Sequence, residues 1–160
     1  QIILGSMARG LAFEEALAQA TAIGITETDP SLDIDGWDAA NKLVIVANSV
    51  LGQRASLKDV DVTGIRGVTD ASLRRASDAG GRVSLLATAI PDSRGRYSLR
   101  VEPIELPTTH PLARLGDEEM GAVYETDIYG RLVIAVADQG PLGTAAAMLR
   151  DLIEIDAGAS

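Results

Sequence analysis

The sequence predicts an α+β fold, with helices packed on a mainly antiparallel or mixed open sheet. Three observations lead there. Helical apolar spacing dominates the first third of the chain, alternating or continuous apolar runs dominate the rest, and one more helical pattern closes it. With 160 residues, 46% of them hydrophobic, the chain has the size and the core material of one domain spanning residues 1–160. Aromatic residues make up only 3%, so the core must be aliphatic.

Residues 2–9 and 13–23 read as two short helices, the second with Phe13, Ala16, Leu17 and Ala20 at helical spacing and Gly24 as its C-terminal stop. The acidic run ETDPSLDIDGWDAANK, residues 27–42, begins as a loop, because Pro30 lacks an amide donor and disfavours helix at Asp29. From Gly36 a third helix runs to Gly52. Leu43, Val46, Ala47 and Val50 form its apolar stripe, and Val44 and Ile45 extend burial to a further face. Residues 61–65 read as a short strand, and Thr69 as the N-cap of a helix that stops at Gly80 and Gly81. RVSLLATAI, YSLRVEPIEL, GAVYETD and RLVIAVA read as strands, the last two joined by the turn DIYG. The closing helix, GTAAAMLRDLIEI, directs Ala147, Leu149, Leu152 and Ile153 toward a core.

Composition narrows the function. A formal charge of −9 without clustered Lys and Arg argues against nucleic acid as a partner. The absence of cysteine removes disulfides, thiolate nucleophiles and thiolate metal ligands, and one histidine, His110, builds no zinc site, so no metal is expected. No apolar run approaches the roughly 20 residues that span a bilayer and the N-terminus has no signal-peptide plan, so the expected compartment is the cytoplasm. The start on Gln1, inside an apolar run, suggests residues missing upstream.

The acidic stretch admits three readings. Counted from Gly36 as the sixth position of a calcium-binding EF-hand loop, the twelfth position falls on Lys42, where a bidentate Glu is required; this argues against calcium. A structural reading has Asp38 favour the helix N-terminus and pair with Lys42 at i, i+4, worth about 0.2–0.5 kcal/mol. In an active-site reading, Lys42 lies on a buried helix, tuned by apolar neighbours and carboxylates to exchange a proton, while Glu27, Asp29 and Asp33 accept from the ammonium group of a small substrate.

The stretch ATAIGITETDPSLDIDGWDAANK, residues 20–42, resembles the homoserine dehydrogenase signature, with Ala20, Gly24, Ile25, Thr26, Asp29, Pro30, Asp33, Ile34, Gly36, Asp38 and Lys42 at its spacing. QIILGSMARGLAFEEAL, HPLARL and GPLGTAAAMLRDLIEI are similar to flanking segments of that family. The resemblance implies the fold of that family's catalytic domain and NAD- or NADP-linked interconversion of aspartate semialdehyde and homoserine, on the route to threonine and methionine. It also implies that the chain acts as part of a homodimer. Carried over, Lys42 is the proton donor, Asp38 orients it and contacts substrate, and Glu27 and Asp33 bind substrate.

The chain departs from the family pattern where no GxGxxG motif occurs, so the cofactor-binding half, a second active-site lysine and a threonine-bearing loop are expected upstream of Gln1. Gln1 replaces the usual Asn, Ile25 stands where some members carry an aromatic residue, and Gly140 and Thr144 remain as candidate cofactor contacts at the last helix. The chain alone is expected to be inactive. The alternatives are an amino-acid-binding or assembly module of the same fold without catalysis, and an oxidoreductase for another carbonyl substrate. Outside the signature, Trp37 reads as a pocket wall or an anchor of the helix start, His110 as a surface or capping residue, and Arg74 and Arg75 beside Asp70 and Asp78 as a solvated helix face.

Overall fold

The computed structural model describes residues 1–22, 30–116, 119–137 and 142–158. The chain forms two compact units, residues 1–117 and 118–160. In the first, helices α1 (Ile2–Ala8), α2 (Phe13–Ala22), α3 (Ser31–Ile34) and α4 (Trp37–Ser49) precede strand β1 (Val60–Val62), helix α5 (Asp70–Asp78), and strands β2 (Arg82–Pro91) and β3 (Tyr97–Leu106). The sheet order is β1-β3-β2. β1 runs parallel to β3, with Val60 opposite Leu99, and β2 runs antiparallel to it, with Ala87 opposite Val101. The α+β class with a mixed open sheet therefore holds.

Two apolar clusters organise this unit. The first gathers Ile3, Leu4 and Met7 of α1, Ala16 and Ala20 of α2, Ile34 of α3, Leu73 and Ala76 of α5, Ile65 and Val83. The second gathers Ala40, Leu43 and Ala47 of α4 with Val60, Leu99 and Val101 of the sheet, and Leu85 packs against both. Its small alanines let α4 lie close to the strands. The expected stripe is shorter than its spacing suggested: Leu43 and Ala47 are buried, but Val50 and Ile45 are 61% and 63% exposed. The helix ends at Ser49, so Val50 falls beyond the packed turns, and Ile45 points away from the sheet because one face suffices to cover it.

The acidic stretch is more ordered than the loop expected of it from Pro30 onward. Ser31–Ile34 forms a single helical turn, with the Asp35 amide donating to the Ser31 carbonyl at 2.8 Å. Gly36, at φ +84°, separates this turn from α4. The left-handed conformation is open to glycine and strained for other residues, and an added Cβ would also meet Val101 Cγ1 and Val62 Cγ1 at 3.1 and 3.2 Å. Thr69 caps α5 as its sequence indicated, with its hydroxyl accepting from the Ser72 amide at 3.2 Å. Arg74 and Arg75 lie on the solvated helix face expected of them: Arg74 pairs with Asp70 at 3.7 Å, and Arg75, also exposed, reaches across to Glu105 on β3.

In the second unit, β4 (Glu119–Thr126) and β5 (Gly130–Ala137) form a hairpin in which Val123 faces Val133, and α6 (Leu142–Asp156) follows. No described residue of this unit is buried. Leu149, Leu152 and Ile153, expected in a core, are 59%, 62% and 60% exposed, and Ala147 is exposed too. A two-stranded ribbon offers too little apolar surface to enclose a helix face. No helix among the described residues is long and apolar enough to cross a membrane.

Two outcomes follow from this packing. Gly36→Ala is expected to lower the unfolding free energy by about 1–3 kcal/mol, from positive φ and the valine contacts, measurable by urea denaturation. An unchanged midpoint would mean that the corner relaxes freely. Hydrogen bonding from Arg75 holds Glu105 below its ordinary carboxylate value. A depressed folded value contributes stability above the unfolded pKa of about 4.3, and that contribution is lost as pH falls through the lower folded value. The melting temperatures of wild type and Glu105→Gln should therefore differ most above about pH 4.3 and converge below it. A gap independent of pH would refute the assignment.

Candidate active site

Asp38 and Lys42 meet on α4. Asp38 sits in the first helical turn, where the exposed amides favour a carboxylate, and Lys42 follows one turn later. The Lys42 Nζ lies 2.7 Å from Asp38 Oδ2. The ammonium group is on the solvent side of the helix, its side chain 64% exposed, and not within the apolar surroundings that the continuing LVIVA run suggested. The reason is angular: Leu43 and Ala47 turn toward the sheet, and Lys42 precedes Leu43 by about 100° around the helix. Asp38, 46% exposed, holds the flexible lysine to one direction.

Asp33 lies on α3 immediately before the corner, and its carbonyl accepts from the Gly36 amide at 3.3 Å. It is exposed, while the next residue, Ile34, is 1% exposed and anchors the turn. The turn thus presents a carboxylate outward from a buried root. Trp37 is 41% exposed, so it forms surface beside Asp38 instead of a buried anchor. Glu27 and Asp29 lie outside the described residues, as does Gly140. Thr144 is described, exposed in the first turn of α6 in the second unit. Of the predicted residues, then, the structure brings Asp33, Asp38 and Lys42 onto one continuous α3–α4 segment.

A third carboxylate of the stretch, not singled out from sequence, has a distant partner. Asp35 Oδ1 accepts from Arg66 Nε at 2.6 Å, and its second oxygen from Arg66 Nη2 at 3.4 Å. Arg66 belongs to a 3-10 turn at Ile65–Gly67, just after β1. Gly64 beside it approaches so closely that a Cβ there would overlap the Ile34 carbonyl oxygen and the Asp35 backbone. Neither partner is near Asp35 in sequence, and no local pattern announces the contact.

The other singled-out positions have structural roles. His110 Nδ1 accepts from the Leu112 amide at 3.3 Å and caps the 3-10 turn Pro111–Arg114, the capping role read from sequence. A cavity of about 340 Å³ opens between α1, α5 and β2, lined in part by Leu4, Arg9, Ser77 and Arg82. None of the predicted site residues among the described ones lines it.

Residues 1–153 match the sequence profile described as homoserine dehydrogenase. The chain belongs to the homoserine dehydrogenase family. A homoserine dehydrogenase from Methanocaldococcus jannaschii is 42% identical over 146 residues, covering 91% of this chain and 42% of that protein. An NAD(+)-dependent homoserine dehydrogenase from Pseudomonas canavaninivorans is 32% identical, covering 99% and 45%. Among solved structures, the homoserine dehydrogenase of Staphylococcus aureus superposes with a TM-score of 0.87 at 33% identity, over 97% of this chain and 39% of that one. The chain thus spans less than half the length of these homoserine dehydrogenases.

The exposure of the pair separates a stability role from a chemical one. An exposed i, i+4 ion pair contributes little, so Lys42→Met should change the unfolding free energy by no more than about 0.5 kcal/mol. A loss of about 2 kcal/mol or more in urea denaturation would instead mark Lys42 as structural.

Proposed function

We propose that this chain is the substrate-binding and dimerising part, residues 1–160, of an enzyme that interconverts aspartate semialdehyde and homoserine, a cytoplasmic step on the way to threonine and methionine. The observation that carries the proposal is the Asp38–Lys42 pair, 2.7 Å apart on the signature segment of a chain that belongs to this family. A nicotinamide cofactor, NAD or NADP, supplies the hydride when bound. The residues present suit one end of such a cofactor, since Thr144 is exposed in the first turn of α6, where a helix N-terminus favours an anionic group; the chain contains no GxGxxG strand-turn-helix to hold the dinucleotide. Gly140 is proposed to join Thr144 there.

In this reading Lys42 donates a proton to the carbonyl oxygen as negative charge grows on it, and recovers one in the reverse direction. Asp38 aims the ammonium group and stabilises its protonated form before transfer. Asp33, with Glu27, accepts hydrogen bonds from the substrate ammonium group, which orients the carbonyl toward Lys42. The exposed apolar residues Leu132, Val133, Ile134 and Val136 of β5 supply surface of the kind a homodimer interface buries.

The test joins this chain to an upstream nucleotide-binding half and follows nicotinamide absorbance with homoserine. Lys42→Ala should lower kcat about 10²–10⁴-fold while leaving cofactor affinity unchanged. The isolated chain should show no turnover. A wild-type assembled protein that is inert toward homoserine would favour the non-catalytic binding or assembly module, and turnover restricted to other small carbonyl compounds would reassign the substrate.

A further inference from the structure

We infer that Arg66 and Gly64 are positioning residues that set the aim of the substrate-facing turn, acting through Asp35. The inference rests on the reading of Asp33 as a substrate-binding carboxylate. α3 is a single turn, Ser31–Ile34, far too short to hold its own shape in water. Its direction must be imposed from outside. Three contacts among the described residues contribute to it. Ile34 roots the turn in the first apolar cluster. The Arg66 guanidinium engages both oxygens of Asp35, at 2.6 and 3.4 Å, across 31 residues of sequence. Gly64 lets the backbone of the 64–67 strap lie directly on the Ile34 carbonyl and the Asp35 backbone, where any side chain would collide.

The contacts fall between the two proposed functional groups. Asp33 lies two residues before Asp35, and Asp38 three residues after it, beyond the left-handed Gly36. α4 is independently fixed by Ala40, Leu43 and Ala47 against the sheet, so loss of the strap leaves the Asp38–Lys42 pair where it is. Asp33 instead rides on the short turn that the strap contacts directly, at the Ile34 carbonyl and the Asp35 carboxylate, so the strap governs how substrate is held more than how the proton is moved. A forked guanidinium suits this task because two parallel donors fix orientation as well as distance, which one ammonium group does not.

The measurement uses the assembled protein described above, reading homoserine turnover together with calorimetric binding of homoserine, and melting temperature as a control. Arg66→Met and Asp35→Asn should each raise KM and Kd for homoserine about 10-fold, with kcat within about 2-fold of wild type and cofactor KM unchanged. The double variant should be no worse than the more affected single, because both remove one interaction. Arg66→Lys should recover part of the affinity. Homoserine affinity within about 2-fold of wild type in both single variants would overturn the inference, as would a fall in kcat at unchanged affinity. If Arg66→Met does not fold, Asp35→Asn decides alone by the same thresholds. A wild type that binds homoserine without turning it over sinks the enzymatic reading while the affinity comparison still judges the strap. A wild type that neither binds nor reduces or oxidises the substrate overturns both.

Discussion

The corner at Gly36 is the constraint on which the site depends. Two residues before it, Ile34 is buried in the cluster built by α1, α2 and α5; four residues after it, Ala40 is buried against β1 and β3. The chain must cross from one core to the other within that span. A left-handed glycine makes the turn at once, and its missing side chain lets Val62 and Val101 close over the bend. Every charged group of interest on the described segment is displayed from this corner, so its geometry follows from apolar packing, with the charges as passengers.

The ion pair on α4 shows how little of the site is devoted to stability. An exposed carboxylate and ammonium group in water attract weakly, and the entropy of holding two long side chains together takes back much of the gain. What the pairing does accomplish is directional. A lysine on a four-carbon stem samples many rotamers, and a carboxylate one turn earlier, itself favoured by the helix N-terminus, narrows them. The rigid part of the arrangement is the helix, pinned by Leu43 and Ala47, and precise placement of a side chain is better served by a packed helix than by a loop.

The legible parts of the fold were those governed by short-range rules. Helices α1, α2 and α5 and all four long strands stand where spacing and caps placed them, because apolar period, Thr69 and the stop at Gly80 and Gly81 act within a few residues; the Gly24 stop lies outside the described residues. The strength of burial was less legible. Ile45 and Val50 are apolar but exposed, since how many faces a helix covers depends on what packs against it, and sequence spacing alone carries no such information. α6 makes the same point more strongly: its pattern is amphipathic, yet its apolar residues are exposed on this chain. In the site, Asp38 and Lys42 were legible because i, i+4 geometry guarantees their proximity. The Asp35–Arg66 contact was not, because it depends on β1 delivering residues 64–67 to the corner.

That contact also changes the meaning of the acidic stretch. A run of carboxylates in a chain of net charge −9 looks like a diffuse negative patch that repels itself and attracts any cation. The fold divides it. Asp35 is matched by Arg66 from the strap, and Asp38 by Lys42 from the next turn, so two of its members are assigned partners at hydrogen-bonding distance. Such matching lowers the mutual repulsion that would otherwise push the α3–α4 corner open.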